Sequence, residues 1–281
     1  MQGYEVSRVE ELLDRYQVAQ ISGQSEKPLS EIQDLMIAYV HNPAHRSYAV
    51  FRMANEHTTK RVAHHLEAAT LHYYKGDYFS CALTMLPMVE GMLLSRMGWS
   101  AASGERLPNA RRVRESLIST QTNAAALEAR VTLHRKALIA FMERWIFSNH
   151  ADIDTEVTYL NRHYALHCMG DGCFYTAADC QRLFNFVDVY LDLRGYETGI
   201  GLGPFIPETP FITERVLHYI HLAEGNISIR ASSAIEAKFM ASHGSFVPET
   251  DPPDLHKIVK RKEAEFQEML AEAKARMGRP T

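Results

Sequence analysis

No stretch of this chain alternates apolar and polar residues for any length, so a sheet has little to build on and an all-α fold is expected. Cysteine is sparse. The four present, Cys81, Cys168, Cys173 and Cys180, form no CxxC pair, and the spacings of five and seven among the last three suit no common zinc site. Reduced thiols, no metal and no cofactor follow. No apolar run approaches the length of a bilayer span, and no basic-then-apolar leader opens the sequence, so no membrane association and a cytoplasmic location are expected. A strong charge of one sign is also missing: 30 Lys+Arg stand against 34 Asp+Glu, a net of −4. Contact with nucleic acid therefore needs a local patch rather than a global field.

What is present suffices for a real core. The 281 residues are 46% hydrophobic and 23% charged, which is ordinary for one large or two modest globular domains. Apolar spacing predicts an amphipathic helix from Tyr4 to about Gln20, closed by the segment from Gly23 to Pro28. Ser30 with Gln33 forms a capping box for a second helix through Val40, stopped by Asn42-Pro43. One long helix is then expected from about Ser47 to Tyr74. Its His57, His64, His65 and His72 form a seam that reads either as a metal or nucleotide site or as a wet interface face. Gly76-Asp77 breaks the run, and Tyr78 to Met97 is apolar almost all round, as a buried helix should be, with Pro87 expected to bend it. Glu90 is an acid within that apolar stretch and needs a partner, Arg96 or water being open to it.

A polar loop from Trp99 to Pro108 leads into Asn109-Ala110-Arg111-Arg112-Val113-Arg114. These arginines at a helix start suit an RNA backbone or a solvated face. Asn123 to Phe147 reads as a long helix with Leu127, Val131, Leu138, Phe141, Met142 and Trp145 on its apolar stripe. A short helix follows, burying Val157, Leu160 and Tyr164. A further helix is expected from Tyr175 to Arg194, capped by Thr176 with Asp179. Four glycines and three prolines between Gly195 and Pro210 mark a loop or hinge. Beyond it come a helix from Phe211 to Ala223, with His218, His221 and Glu224 as metal ligands or exposed side chains, and helical segments at Asn226–His243 and Leu255–Met277. In the last, Lys257, Lys260, Arg261 and Lys262 precede a run of glutamates, so its basic first turn could touch RNA.

The stretch with the most chemistry is Asn161-Arg162-His163-Tyr164-Ala165-Leu166-His167. It packs a permanent cation and two titratable imidazoles into two helical turns, a poor way to build a core. At about 100° per residue, Arg162 and His167 lie roughly 140° apart and about 7.5 Å along the axis, so one helix alone cannot bring both to one atom. Two copies about a two-fold axis can. An arginine fork matches phosphate oxygens, a histidine moves a proton near neutrality, and RNA carries its own nucleophile in the 2′-hydroxyl.

This R-[N/D/H]-x-x-x-H pattern resembles the signature of the HEPN (higher eukaryotes and prokaryotes nucleotide-binding) superfamily. The order that follows is also similar: the motif near a helix end, a Gly170-Asp171-Gly172 turn, then Tyr175-Thr176 and a long apolar helix. The likeness covers roughly Tyr74 to Gly195; one departure is Cys168, where many HEPN proteins have glycine. It implies an all-α, HEPN-like helical bundle at 74–195 between an N-terminal helical segment at 1–73 and a C-terminal helical extension at 196–281. It further implies a homodimeric, metal-independent endoribonuclease of toxin or phage-defence type, with RNA as substrate and an antitoxin or defence-system protein as partner. In that scheme Arg162 holds the scissile phosphate, His167 transfers the proton, His163 and Asn161 orient phosphate or base, and Glu90 fixes Arg162. A non-cleaving HEPN-like module that binds RNA, nucleotide or a protein is the alternative.

Overall fold

Asn42 sets a corner between two helices. In a computed structural model describing residues 26–100, 102, 104–118, 128–147, 160–161, 175–198, 209–225 and 259–261, with Arg15, Val18, Ala264, Glu265, Glu268 and Ala271, every regular element is helical. Asn42 ends α1 (Glu26–His41) and caps α2 (Pro43–Asn55), its Oδ1 accepting from the backbone of Ala44 at 2.9 Å and of His45 at 3.3 Å. Pro43 follows in the first turn, where its missing N–H costs nothing. Helix α1 already includes Glu26 and Pro28, ahead of the expected capping box at Ser30.

The single helix expected from Ser47 to Tyr74 is broken. Glu56 is extended at φ −87°, ψ 126°, and its carboxylate accepts the backbone N–H groups of Thr58 and Thr59, each at 2.8 Å. Thr59 Oγ1 donates back to Met53 O at 2.9 Å. Side chains that satisfy the backbone locally offer it an alternative to the helix, and here they win. A 3-10 turn (Lys60–Val62) then leads into α3 (Ala63–Tyr74). Gly76, at φ 76°, makes the next corner, and Asp77 caps α4 (Tyr78–Arg96) through Ser80 N at 3.0 Å.

Helix α4 lies against α3 and α7, with Cys81, Met85, Met88, Val89 and Met92 fully in the core. Pro87 occupies an exposed position on it. By length and composition α4 could cross a bilayer, contrary to the expectation that no run is long enough; half of that apolar stretch is buried in the fold. Asn109 caps α5 (Ala110–Ile118) through Arg112 N at 3.0 Å. Helix α6 (Glu128–Phe141) widens into a π turn at Met142–Ile146. The capping box of α7 (Ala177–Thr198) is reciprocal: Thr176 N donates to Asp179 Oδ2 at 3.0 Å, and Asp179 N to Thr176 Oγ1 at 3.2 Å. Helix α8 spans 210–225. One buried apolar cluster runs from Val40 on α1 to Tyr219 on α8, so it draws on all three spans of the chain distinguished above.

Buried charge ties these helices together at Glu197, near the end of α7. Its carboxylate takes both Nη1 and Nη2 of Arg96 from α4 at 2.7 Å, Arg135 of α6 at 3.0 Å and Arg194 of its own helix at 3.0 Å. Arg194 also reaches Glu56 at 3.0 Å. Burial opposes the charge on Glu197, but the bond from Arg96 and those from Arg135 and Arg194 hold its pKa below the usual carboxylate value. Glu197 and Arg96 are 2% and 4% exposed, so removing the carboxylate strands guanidiniums in the interior. Glu197→Ala is expected to cost about 3–5 kcal/mol of unfolding free energy, read from urea denaturation; a loss under about 1 kcal/mol would mean the pairs act like surface pairs.

Candidate functional site

The motif segment is bracketed by two buried anchors. Before it, Leu160 and Asn161 are each 1% exposed. After it, Tyr175 is buried with its ring 6.0 Å from that of Phe79, and Cys180 Sγ donates to Tyr78 O at 3.3 Å, which pins the start of α7 to the start of α4. Arg162, His163 and His167 lie outside the described residues. Asn161 sits in the interior, at the entrance to the motif. Glu90 is half-buried on α4, and neither residue is without a partner. Arg96, the alternative partner weighed for Glu90, gives both terminal nitrogens to Glu197.

The basic start of α5 is on the surface. Arg111 Nε meets Glu115 at 2.8 Å one turn on, and Arg114 Nη1 meets Glu143 of the π turn at 2.5 Å. Arg112 is exposed and makes no ion pair among the described residues. The histidine seam is a wet face: His57 is exposed beside Glu56, the exposed rings of His64 and His65 lie 3.9 Å apart, and His72 Nδ1 is 3.1 Å from Asp77. His218, His221 and Glu224 are all exposed on α8. Among the described residues no three His, Cys, Asp or Glu side chains come together to hold a metal. Cys81 and Cys180 are buried free thiols, and Cys168 and Cys173 lie outside the described residues.

Sequence reasoning missed a buried charged cluster between α2 and α7. Arg46, with no exposed surface, bonds Asp188 through Nη2, and its guanidinium carbon lies 4.9 Å from the centroid of the Phe184 ring. His45 Nε2 is 3.2 Å from the same Asp188 oxygen, and its ring rests 3.8 Å from that of Tyr39. Arg46 Nε and Nη1 and Asp188 Oδ1 have no hydrogen-bond partner among the described residues. One turn further along α7, Asp192 takes Arg52 at 2.6 Å. The signal was available: Asp188 interrupts the apolar positions Leu183, Phe184, Val187, Tyr190 and Leu191, much as Glu90 interrupts α4. The cluster clamps two helices and is far too enclosed to meet a macromolecule. Nothing matches this chain among protein-family models, curated proteins or solved structures.

Burial holds the His45 imidazole below its ordinary pKa, with Asp188 pulling the other way. Asp188 is opposed by burial, yet Arg46 and then His45 hold it below the usual carboxylate range. Both shifts have one sign: the folded state disfavours the proton relative to the unfolded chain. The stability each carries is therefore complete above its ordinary pKa and lost as pH falls through the lowered one, from 6.5 downward for His45 and from 3.8 downward for Asp188. His45→Gln should flatten the upper part of the stability–pH curve while keeping the lower fall, and Asp188→Asn should remove part of the lower fall. Urea unfolding across that range checks both; curves parallel to the parent's would remove the two groups from the acid response.

Proposed function

We propose that this chain is a metal-independent endoribonuclease of toxin or phage-defence type, working as a homodimer in the cytoplasm. The observation that carries the reading is the Arg162–His167 motif, entered from a buried Leu160-Asn161 pair within an all-α frame. In the proposed reaction, Arg162 holds a phosphodiester and stabilises the charge that grows on it. His167 moves the proton. The RNA 2′-oxygen attacks phosphorus, the bond to the 5′-oxygen breaks, and the products are a 2′,3′-cyclic phosphate and a 5′-hydroxyl. His163 orients the phosphate or base, and Glu90 fixes Arg162. Helical spacing would set Arg162 and His167 about 140° apart, so the reading calls for a groove shared by two copies.

A non-cleaving module of the same build, holding RNA, nucleotide or a partner protein, is the second reading. One observation favours it: Asn161, 1% exposed, is withdrawn into the interior and leaves the polar set one member short.

The test compares the parent with Arg162→Ala and His167→Ala on a labelled RNA, with product ends identified by mass spectrometry. Losses of about 10²-fold or more in each variant are expected, with a cyclic phosphate on the parent's product and no effect of a chelator. Circular dichroism and sedimentation confirm that the variants still fold and pair. Equal cleavage in all three proteins, or none in the parent, would sink the catalytic reading.

A further inference from the structure

The end of α6 carries a feature that the proposed reaction does not use. Its last turn is a π turn, Met142–Ile146, and such widened turns are uncommon and concentrate at functional sites. The turn sets Trp145 half-buried, roughly parallel to Phe141 at 6.2 Å between centroids, under two guanidiniums. Arg144 stands 5.7 Å from the Trp145 ring centroid and Arg182, from α7, stands 5.0 Å from it. A guanidinium laid over an indole keeps its in-plane donors free for an anion, and the stacking fixes the fork in advance.

Three observations give this surface a direction. Arg144 is exposed and makes no ion pair among the described residues. Arg182 is 46% exposed and gives Nη1 to Asp179 at 2.8 Å. Lys136, also exposed and without an ion pair among the described residues, lies two turns earlier on α6, about 12 Å along the axis from Arg144. Ala140 lies between them on the exposed side, with no acid on that strip. The adjoining carboxylates are already engaged, Glu143 by Arg114 and Asp179 by Arg182. The Glu143 pair also joins the basic start of α5 to this edge. In a chain of net charge −4, this is a local run of cations backed by an aromatic ring.

We propose that Lys136, Arg144 and Arg182, arranged about Trp145, form a docking track for the phosphate backbone of single-stranded RNA. Only the choice of RNA as occupant rests on the ribonuclease reading; the track itself rests on the stacked guanidiniums and on Lys136 and Arg144, which make no ion pair among the described residues. Phosphate groups at intervals along a strand match fixed cations at intervals along a helix, and stacked arginines grip them without reading sequence. Arg144 and Arg182 hold phosphates, and Trp145 is the positioning residue that holds both forks.

The test is fluorescence anisotropy with a labelled single-stranded RNA oligonucleotide, using the full chain in a His167→Ala background so that the probe stays intact. Arg144→Gln/Arg182→Gln should weaken binding about tenfold or more and lower the salt dependence by about 1.4 in the log–log slope, the loss of two phosphate contacts on a single strand. Trp145→Phe, which keeps a ring under both arginines, should bind close to the background protein, and Trp145→Ala should follow the double variant; thermal melts confirm folding in each. Unchanged binding in a folded double variant overturns the track. So does an absence of RNA binding in the background protein, or displacement of the RNA by a polyglutamate peptide at equal charge concentration, which would assign the surface to an acidic protein. The two proposals fail separately. Cleavage by the parent with normal binding by the double variant leaves the ribonuclease reading and removes the track, whereas arginine-dependent binding without any cleavage does the reverse.

Discussion

Helix α7 can be buried only because its acids are neutralised from other helices. Asp188, Asp192 and Glu197 lie on an element whose other faces carry Leu183, Phe184, Val187 and Tyr190, and each takes a cation from elsewhere: Arg46 and Arg52 from α2, Arg96 from α4, Arg135 from α6. A carboxylate taken out of water costs several kcal/mol unless a geometrically good partner meets it. Apolar burial makes α7 central, and the ion pairs decide which helices surround it and in what register. Arg46 goes furthest, since it has no exposed surface and leaves two nitrogens without hydrogen-bond partners among the described residues. Such a group contributes little net stability, but any packing of α2 that missed Asp188 would strand it.

The helical character and most corners were legible because they depend on local chemistry. Asn42-Pro43, Gly76-Asp77 and Thr176 with Asp179 each cap a neighbouring backbone group, and a cap needs only residues a few positions apart. The break at Glu56–Thr59 was missed because neither glycine nor proline marks it. Thr58 and Thr59 combine with Glu56 to stop a helix that propensity alone would continue. Helix α4 has the length and apolar composition to cross a bilayer although Glu90 interrupts its apolar stretch and Arg96 ends it, and half of that stretch is buried in the fold.

Long-range pairing was not legible at all. Arg46 and Asp188 are 142 positions apart, and nothing in either neighbourhood names the other. The same holds for Arg114 with Glu143, which turns what read as a free basic cluster into one partly occupied by acids. Trp145 shows the limit of periodicity in another way. Its spacing placed it on the apolar stripe of α6, and it does touch the core, but the π turn shifts its phase and leaves its ring under Arg144 and Arg182. A period of 3.6 cannot anticipate a turn that abandons that period.

The proposed chemistry is constrained by the same packing that the sequence concealed. Thirteen residues, 162–174, separate buried Asn161 from buried Tyr175, and Tyr175 is held against Phe79 at the start of α4. Arg162 follows Asn161 directly in sequence, whereas His167 is six positions from one anchor and eight from the other. Within one α7, Asp179 and Arg182 cap and stack while Asp188 and Glu197 clamp the core. A strand lying across Trp145 would thus meet the same rigid helix that closes the motif segment, which gives the track and the motif a common frame.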